Sequence, residues 1–164
     1  MLKLQITAIG EPADVLELVE FNAPTPSPGQ VLVEVQAATI NASDFLYISG
    51  QYFITPQTPA DVGAEGVGRV LAVGPGESDS LVGARVLLLP TYRHGTWATH
   101  LIAATSDVVV VPEDLDTAQL AMVGINSATG LERRLDPDPR RQGSGGQSRV
   151  RVRPATLVTE GHNR

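Results

Sequence analysis

A chain of 164 residues that is 42% hydrophobic buries one core and not two, so a single folded domain is expected. A formal net charge of -6 argues against nucleic acid as a partner, because phosphate binding rests on clustered Lys and Arg; the absence of cysteine excludes disulfides, thiolate catalysis and every cysteine-based zinc site. No apolar run approaches the roughly 18 residues of a membrane-spanning helix, and the stretch before Gly10, Glu11 and Pro12 is too short for a secretory segment, so a cytoplasmic chain with no membrane partner is expected.

In chain order, Leu2 to Ile6 and Val15 to Val19 read as two short strands of a hairpin, with Gly10, Glu11 and Pro12 in the turn. Pro24, Pro26, Pro28 and Gly29 form a loop, after which Gln30 to Ala37 alternates polar groups with valines as a half-buried strand does. The alternation breaks at Asn41 to Ser49, where a short helix is predicted: Asn41 or Ser43 caps it, Asp44 sits in its first turn, and Phe45 and Ile48 share a face. Val67 to Val73, Arg85 to Leu89, Trp97 to Ile102 and Val108 to Val111 then follow as strands separated by turn residues, the spacing of a small barrel. Trp97 is expected in the barrel core; Tyr47 and Tyr92 receive no assignment. Asp116 caps a predicted helix over Thr117 to Met122, and Ile125 to Leu131 begins another.

The charge divides the chain near Glu132. Residues 1–131 carry 4 Lys/Arg against 14 Asp/Glu, net -10, whereas residues 132–164 carry 8 Arg against 4 acidic residues, net +4. The second segment holds no aromatic residue and too little apolar content to offset the entropy of ordering. A basic arm for polyanions is one reading of it; a disordered or frame-shifted tail is the preferred one. The expected organisation is a folded domain at 1–131 followed by an Arg/Pro/Gly-rich tail at 132–164. Gly143-Ser144-Gly145-Gly146 follows no predicted strand and reads as flexible linker, not as a phosphate-binding loop.

Ile40-Asn41-Ala42-Ser43-Asp44, Ser49-Gly50-Gln51-Tyr52 and the run from Gly63 through Glu65, Gly66 and Gly68 to Gly74 strongly resemble, in order and spacing, the catalytic domain of medium-chain dehydrogenases/reductases. Val82 to Val86, Gly95-Thr96-Trp97 and Val111 to Leu115 extend the resemblance over residues 1–131. It implies a mainly β fold with short helices, a GroES-like, partly open β-barrel. Gly63, Gly66 and Gly68 lie just before and within a strand, where glycine permits positive φ or close backbone approach. The resemblance also implies a nucleotide-binding Rossmann domain after residue 131, which the Arg-rich segment does not provide.

In zinc-binding relatives a His precedes the Glu at position 65; here that residue is Ala64, and the first-strand cysteine ligand is missing as well. His94, His100 and His162 lack ligand-like spacing, so no metal is expected. The resemblance therefore narrows to the zinc-free branch, which holds quinone reductases and 2-enoyl-thioester reductases, with NADPH as cofactor. There it implies a catalytic Tyr52 beside the nicotinamide, with Asn41 and Glu65 close to substrate or cofactor. The expected function is hydride transfer to an activated C=C of an enoyl thioester, by a truncated chain inactive on its own. The alternatives are a quinone reductase fragment and a stand-alone GroES-like binding module. The resemblance implies a homodimer for intact relatives; for this chain none is expected. Two departures stand out: Ala42 occupies the place of a customary proline, and Phe53-Ile54 that of small residues.

Overall fold

The computed structural model describes residues 1–125. Strand β1 (Leu2–Ile6) leads into a one-turn helix α1 (Pro12–Val15) with proline in its first turn, and then into β2 (Leu16–Glu20). The hairpin connection is thus not a plain turn: Pro12, compatible with the first helical position, starts a turn that ends at Val15, and pairing begins one residue later than the sequence pattern implied. Strand β3 (Gln30–Ala38), helix α2 (Ala42–Ile48), the two-residue β4 (Ala60–Asp61) and β5 (Gly66–Val73) follow. Strands β6 (Arg85–Leu88), β7 (His100–Ala104) and β8 (Val108–Val110) and helix α3 (Thr117–Ala121) complete the described fold. The second helix expected to begin at Ile125 and the tail at 132–164 fall outside the described residues, apart from Ile125 itself.

All pairings are antiparallel, in a three-stranded sheet ordered β2-β1-β4 and a five-stranded sheet ordered β7-β3-β5-β6-β8. Residues 97–99, expected in a strand with β7, instead link the sheets. Leu4 N–H donates to the Trp97 carbonyl (2.9 Å), Thr99 N–H to that of Leu2 (2.8 Å), and Val35 N–H to that of Thr99 (3.0 Å). One segment so pairs with β1 on one side and β3 on the other. No ladder among the described residues joins β2 to β8, so the barrel is partly open.

Alternation along the strands builds the main core. Val31 and Val33 of β3, Val70 of β5, Val86 and Leu88 of β6, and Leu101 and Ala103 of β7 meet on one face. A second cluster of Ile6, Val15, Tyr47, Ile48 and Val62 lies beneath α2, with Trp97, Tyr52 and Tyr92 packed partly buried against it. A third joins Val67 to Leu120 and Ala121 of α3. The three glycines singled out in the sequence have different reasons to be glycine. Gly63 takes a φ of +99°. A Cβ on Gly66 would stand 2.7 Å from the Ala37 carbonyl, and one on Gly68 2.5 Å from that of Glu34, where β3 is bulged against β5.

Candidate functional site

Asn41 is the N-cap of α2, with extended backbone, and its N–H donates to Asp44 Oδ2 at 2.7 Å. Its carboxamide nitrogen Nδ2 donates to Thr39 Oγ1 at 2.8 Å and to Glu65 Oε1 at 3.2 Å. The helix-capping role read from the sequence is realised, and the same residue is tied by its carboxamide to Thr39 and Glu65.

Glu65 is fully buried at the entry to β5. Oε1 also accepts from the Thr39 hydroxyl (3.2 Å), and Oε2 accepts from the backbone N–H of Ile125 (2.7 Å). Its carbonyl accepts from the Thr96 hydroxyl at 3.0 Å. A buried carboxylate is tolerable only with such donors, and these come from the β3–α2 connection and from the chain beyond α3. Gly124 belongs to the same arrangement, because a Cβ there would lie 2.5 Å from Oε2. Glu65 is therefore an internal tie that brings Asn41 against β5 and anchors the backbone at Ile125.

Tyr52 stands apart from that network. Its backbone N–H donates to the Leu46 carbonyl at 3.1 Å, fixing it just past the end of α2. Its half-buried ring packs edge-on to Tyr92 (5.5 Å between centroids) and against Phe53 (4.2 Å). Among the described residues its hydroxyl makes no hydrogen bond, which leaves it available to a ligand. Phe53 beside it is 82% exposed, and Phe45 and Leu46 of α2 are also exposed, so the free hydroxyl lies in a strongly apolar stretch of chain.

The structure adds residues that the sequence left out. Asp44 sits in the first turn of α2, as the sequence implied, and is wholly buried there; burial raises its pKa, against the lowering effect of the Asn41 N–H. Tyr92 adopts a φ of +53°, rare for a residue with a side chain, and its ring stacks on Tyr47 at 4.6 Å. Burial, reinforced by the Asp44 carboxylate, pushes its phenol well above the ordinary value, with Ser43 working the other way. The only sequence signal for Tyr92 was an aromatic among turn residues. Trp97 is half-buried in the second cluster and donates Nε1–H to the Thr39 carbonyl (2.8 Å), bracing the residue that holds Asn41.

His94 and His100 lie among the described residues and His162 outside them. Buried His94 has Nδ1 3.4 Å from Thr91 Oγ1 and 3.9 Å from Asp107, and burial lowers its pKa; His100 Nδ1 lies 3.1 Å from Thr99 Oγ1. Among the described residues no three His, Cys, Asp or Glu side chains gather as a metal site, and no helix is long and apolar enough to cross a membrane.

Two antiparallel sheets joined through residues 97–99, with a carboxylate tie at the entry to β5, define a GroES-like domain of the kind found in the medium-chain dehydrogenases/reductases. The chain belongs to the alcohol dehydrogenase GroES-like domain family, which matches residues 27–115. It is 35% identical over 127 residues to the mitochondrial enoyl-[acyl-carrier-protein] reductase of Bos taurus, covering 77% of this chain and 34% of the relative. Among solved structures it resembles a putative NADPH:quinone reductase from Bacillus thuringiensis, with TM-score 0.73, 34% identity and coverage of 79% of this chain and 39% of that one. It also resembles Etr1p in complex with NADP and crotonyl-CoA, with TM-score 0.68, 27% identity and coverage of 79% and 42%. The chain thus spans about a third of the length of the curated relatives it matches.

Proposed function

We propose that this chain provides the acceptor-facing domain of an NADPH-dependent reductase acting on enoyl thioesters, with Tyr52 as the group that meets the reacting substrate. The observation that carries the reading is the Tyr52 hydroxyl: it is held past α2, bonded to nothing among the described residues, and flanked by the exposed Phe53. Addition of hydride at the β carbon of an enoyl thioester moves charge onto the carbonyl oxygen, and a phenol supplies the hydrogen bond or proton that the enolate requires, without a metal. Asn41, held by Thr39 and Glu65, caps the start of the helix whose far end carries Tyr52; Glu65, fully enclosed, acts through Asn41 and not on substrate.

NADPH supplies the hydride when bound. The described residues contain no strand–glycine turn–helix unit to cradle its pyrophosphate, so they fit the reacting end of the cofactor only, and residues 1–125 alone are expected to oxidise no NADPH. The net charge of -10 over residues 1–131 supports a small-molecule substrate over nucleic acid, and cytoplasmic action is part of the same reading. The likeness to the Bacillus thuringiensis protein favours quinone reduction as the second reading.

The test is a fusion of residues 1–125 to the part of the Bacillus thuringiensis protein that this chain does not match, assayed for NADPH oxidation with crotonyl-CoA and with a quinone. Tyr52→Phe is expected to slow crotonyl-CoA reduction by about ten- to a thousandfold with cofactor affinity unchanged, and quinone reduction less. Equal rates with Phe at this position would make Tyr52 a packing residue and end the proposal.

A further inference from the structure

Among the described residues five buried side-chain polar atoms have no hydrogen-bond partner, and three of them, Ser43 Oγ, Asp44 Oδ1 and the Tyr92 hydroxyl, belong to neighbouring groups. Ser43 and Asp44 lie close enough to the Tyr92 phenol to act on its ionisation, the Asp44 carboxylate raising its pKa and Ser43 lowering it. Polar groups gathered in an interior are normally satisfied, by one another or by an enclosed water, because leaving them unpaired is costly. The backbone of Tyr92 is also held in the left-handed region at φ +53°, which a residue with a side chain keeps only where its surroundings over-determine it. One face of its ring stacks on the buried Tyr47, and Tyr52 meets it edge to face.

We propose that Tyr92 is a positioning residue for Tyr52: its phenol is enclosed beside Ser43 and Asp44, Tyr47 backs its ring, and the ring in turn sets the orientation of Tyr52 at the surface. Asp44 ties this brace to the other half of the site, since its Oδ2 accepts the N–H of Asn41. A free hydroxyl on an unbraced, half-buried ring would sample several rotamers, whereas donation to a developing enolate requires one. The proposal rests on the reading of Tyr52 as the donor, but its physical content, the control of one ring by another, is measurable without any reaction.

The experiment uses the whole chain with ring-labelled tyrosine, its three tyrosines assigned by single Tyr→Phe replacements. Nuclear magnetic resonance should show magnetisation transfer between the rings of Tyr92 and Tyr52, with the Tyr52 ring signals displaced from free-tyrosine positions. Tyr92→Leu should move those signals toward free values and raise the rate of Tyr52 O-acetylation by N-acetylimidazole by about two- to tenfold, the worth of one aromatic pair. Tyr92→Phe, which keeps the ring, should retain most of the displacement, with a smaller rise in acetylation from the lost anchor. Absence of ring-to-ring transfer in the unmodified chain overturns the proposal, which stays decidable even where Tyr92→Leu does not fold. Unchanged Tyr52 signals in a folded Tyr92→Leu also overturn it. In the active fusion, Tyr92→Leu should lower kcat for crotonyl-CoA with KM little changed. A fusion indifferent to Tyr52→Phe alongside intact ring coupling would reject the donor and leave the brace.

Discussion

Beneath the five-stranded sheet, the seven buried residues of the core are Val, Leu or Ala, each placed by simple alternation along its strand. Beneath α2, Ile6, Ile48 and Val62 share the interior with fully buried Asp44, with Tyr47 and with the enclosed hydroxyl of Tyr92. The first region gains from every atom that it removes from water. The second gives up part of that gain to keep unpaired polar atoms and a left-handed tyrosine in place. It lies next to Tyr52, whose hydroxyl has no hydrogen bond among the described residues, and such departures from local rules fit the proposed site.

The largest effect should come from the apolar region. Leu88→Ala, at a fully buried position, should destabilise the domain by about 2–5 kcal/mol in denaturant titration; a loss below about 1 kcal/mol would show that the sheet interior is looser than its burial implies. Glu65→Leu should come next, at about 3 kcal/mol, because the hydroxyl of Thr39, the amide of Asn41 and the N–H of Ile125 lose a buried acceptor together. Glu65→Gln should recover part of that loss, and equal stability of Leu and Gln variants would show that the tie is not electrostatic. Gly68→Ala forces a methyl group onto the Glu34 carbonyl and should cost about 1–3 kcal/mol, read as a lowered Tm.

Smaller effects separate the two titrating groups by sign. His94 has a lowered pKa when folded, so its stabilising contribution is present above the unfolded value of 6.5 and is lost as pH falls below it. His94→Gln should flatten that acid-side slope by up to about 1.4 kcal/mol per pH unit. Asp44 has a raised pKa, so its contribution is full below the unfolded value of 3.8 and declines as pH rises through the folded value. Asp44→Asn should therefore gain on the parent chain as pH rises above 3.8, and a constant difference from pH 4 to 8 would contradict a charged, buried Asp44. Smallest of all, Arg69→Gln removes the exposed bidentate pair with Glu113 and should leave Tm unchanged within error.

The period of two in Gln30 to Ala37 and in Val67 to Val73 was enough to place β3 and β5, and Asp116 announced the start of α3, where its side chain accepts from the N–H of Gln119 at 2.9 Å. The motif around Gly63 to Gly74 carried the family, because glycines at close backbone crossings and a carboxylate at a strand entry are requirements of the fold that appear directly as residue types. Tertiary structure alone decided the rest. Residues 97–99 became a joint between two sheets because both their neighbours come from distant parts of the chain, which no local period records. Asp44 reads as a helix-start acid from sequence and is enclosed because the loop carrying Tyr92 folds over it. Tyr92 carried no sequence signal beyond being an aromatic among turn residues. Its place between Tyr47 and Tyr52 follows from packing across 40 residues and more of chain, and distance in sequence is what a local pattern cannot see.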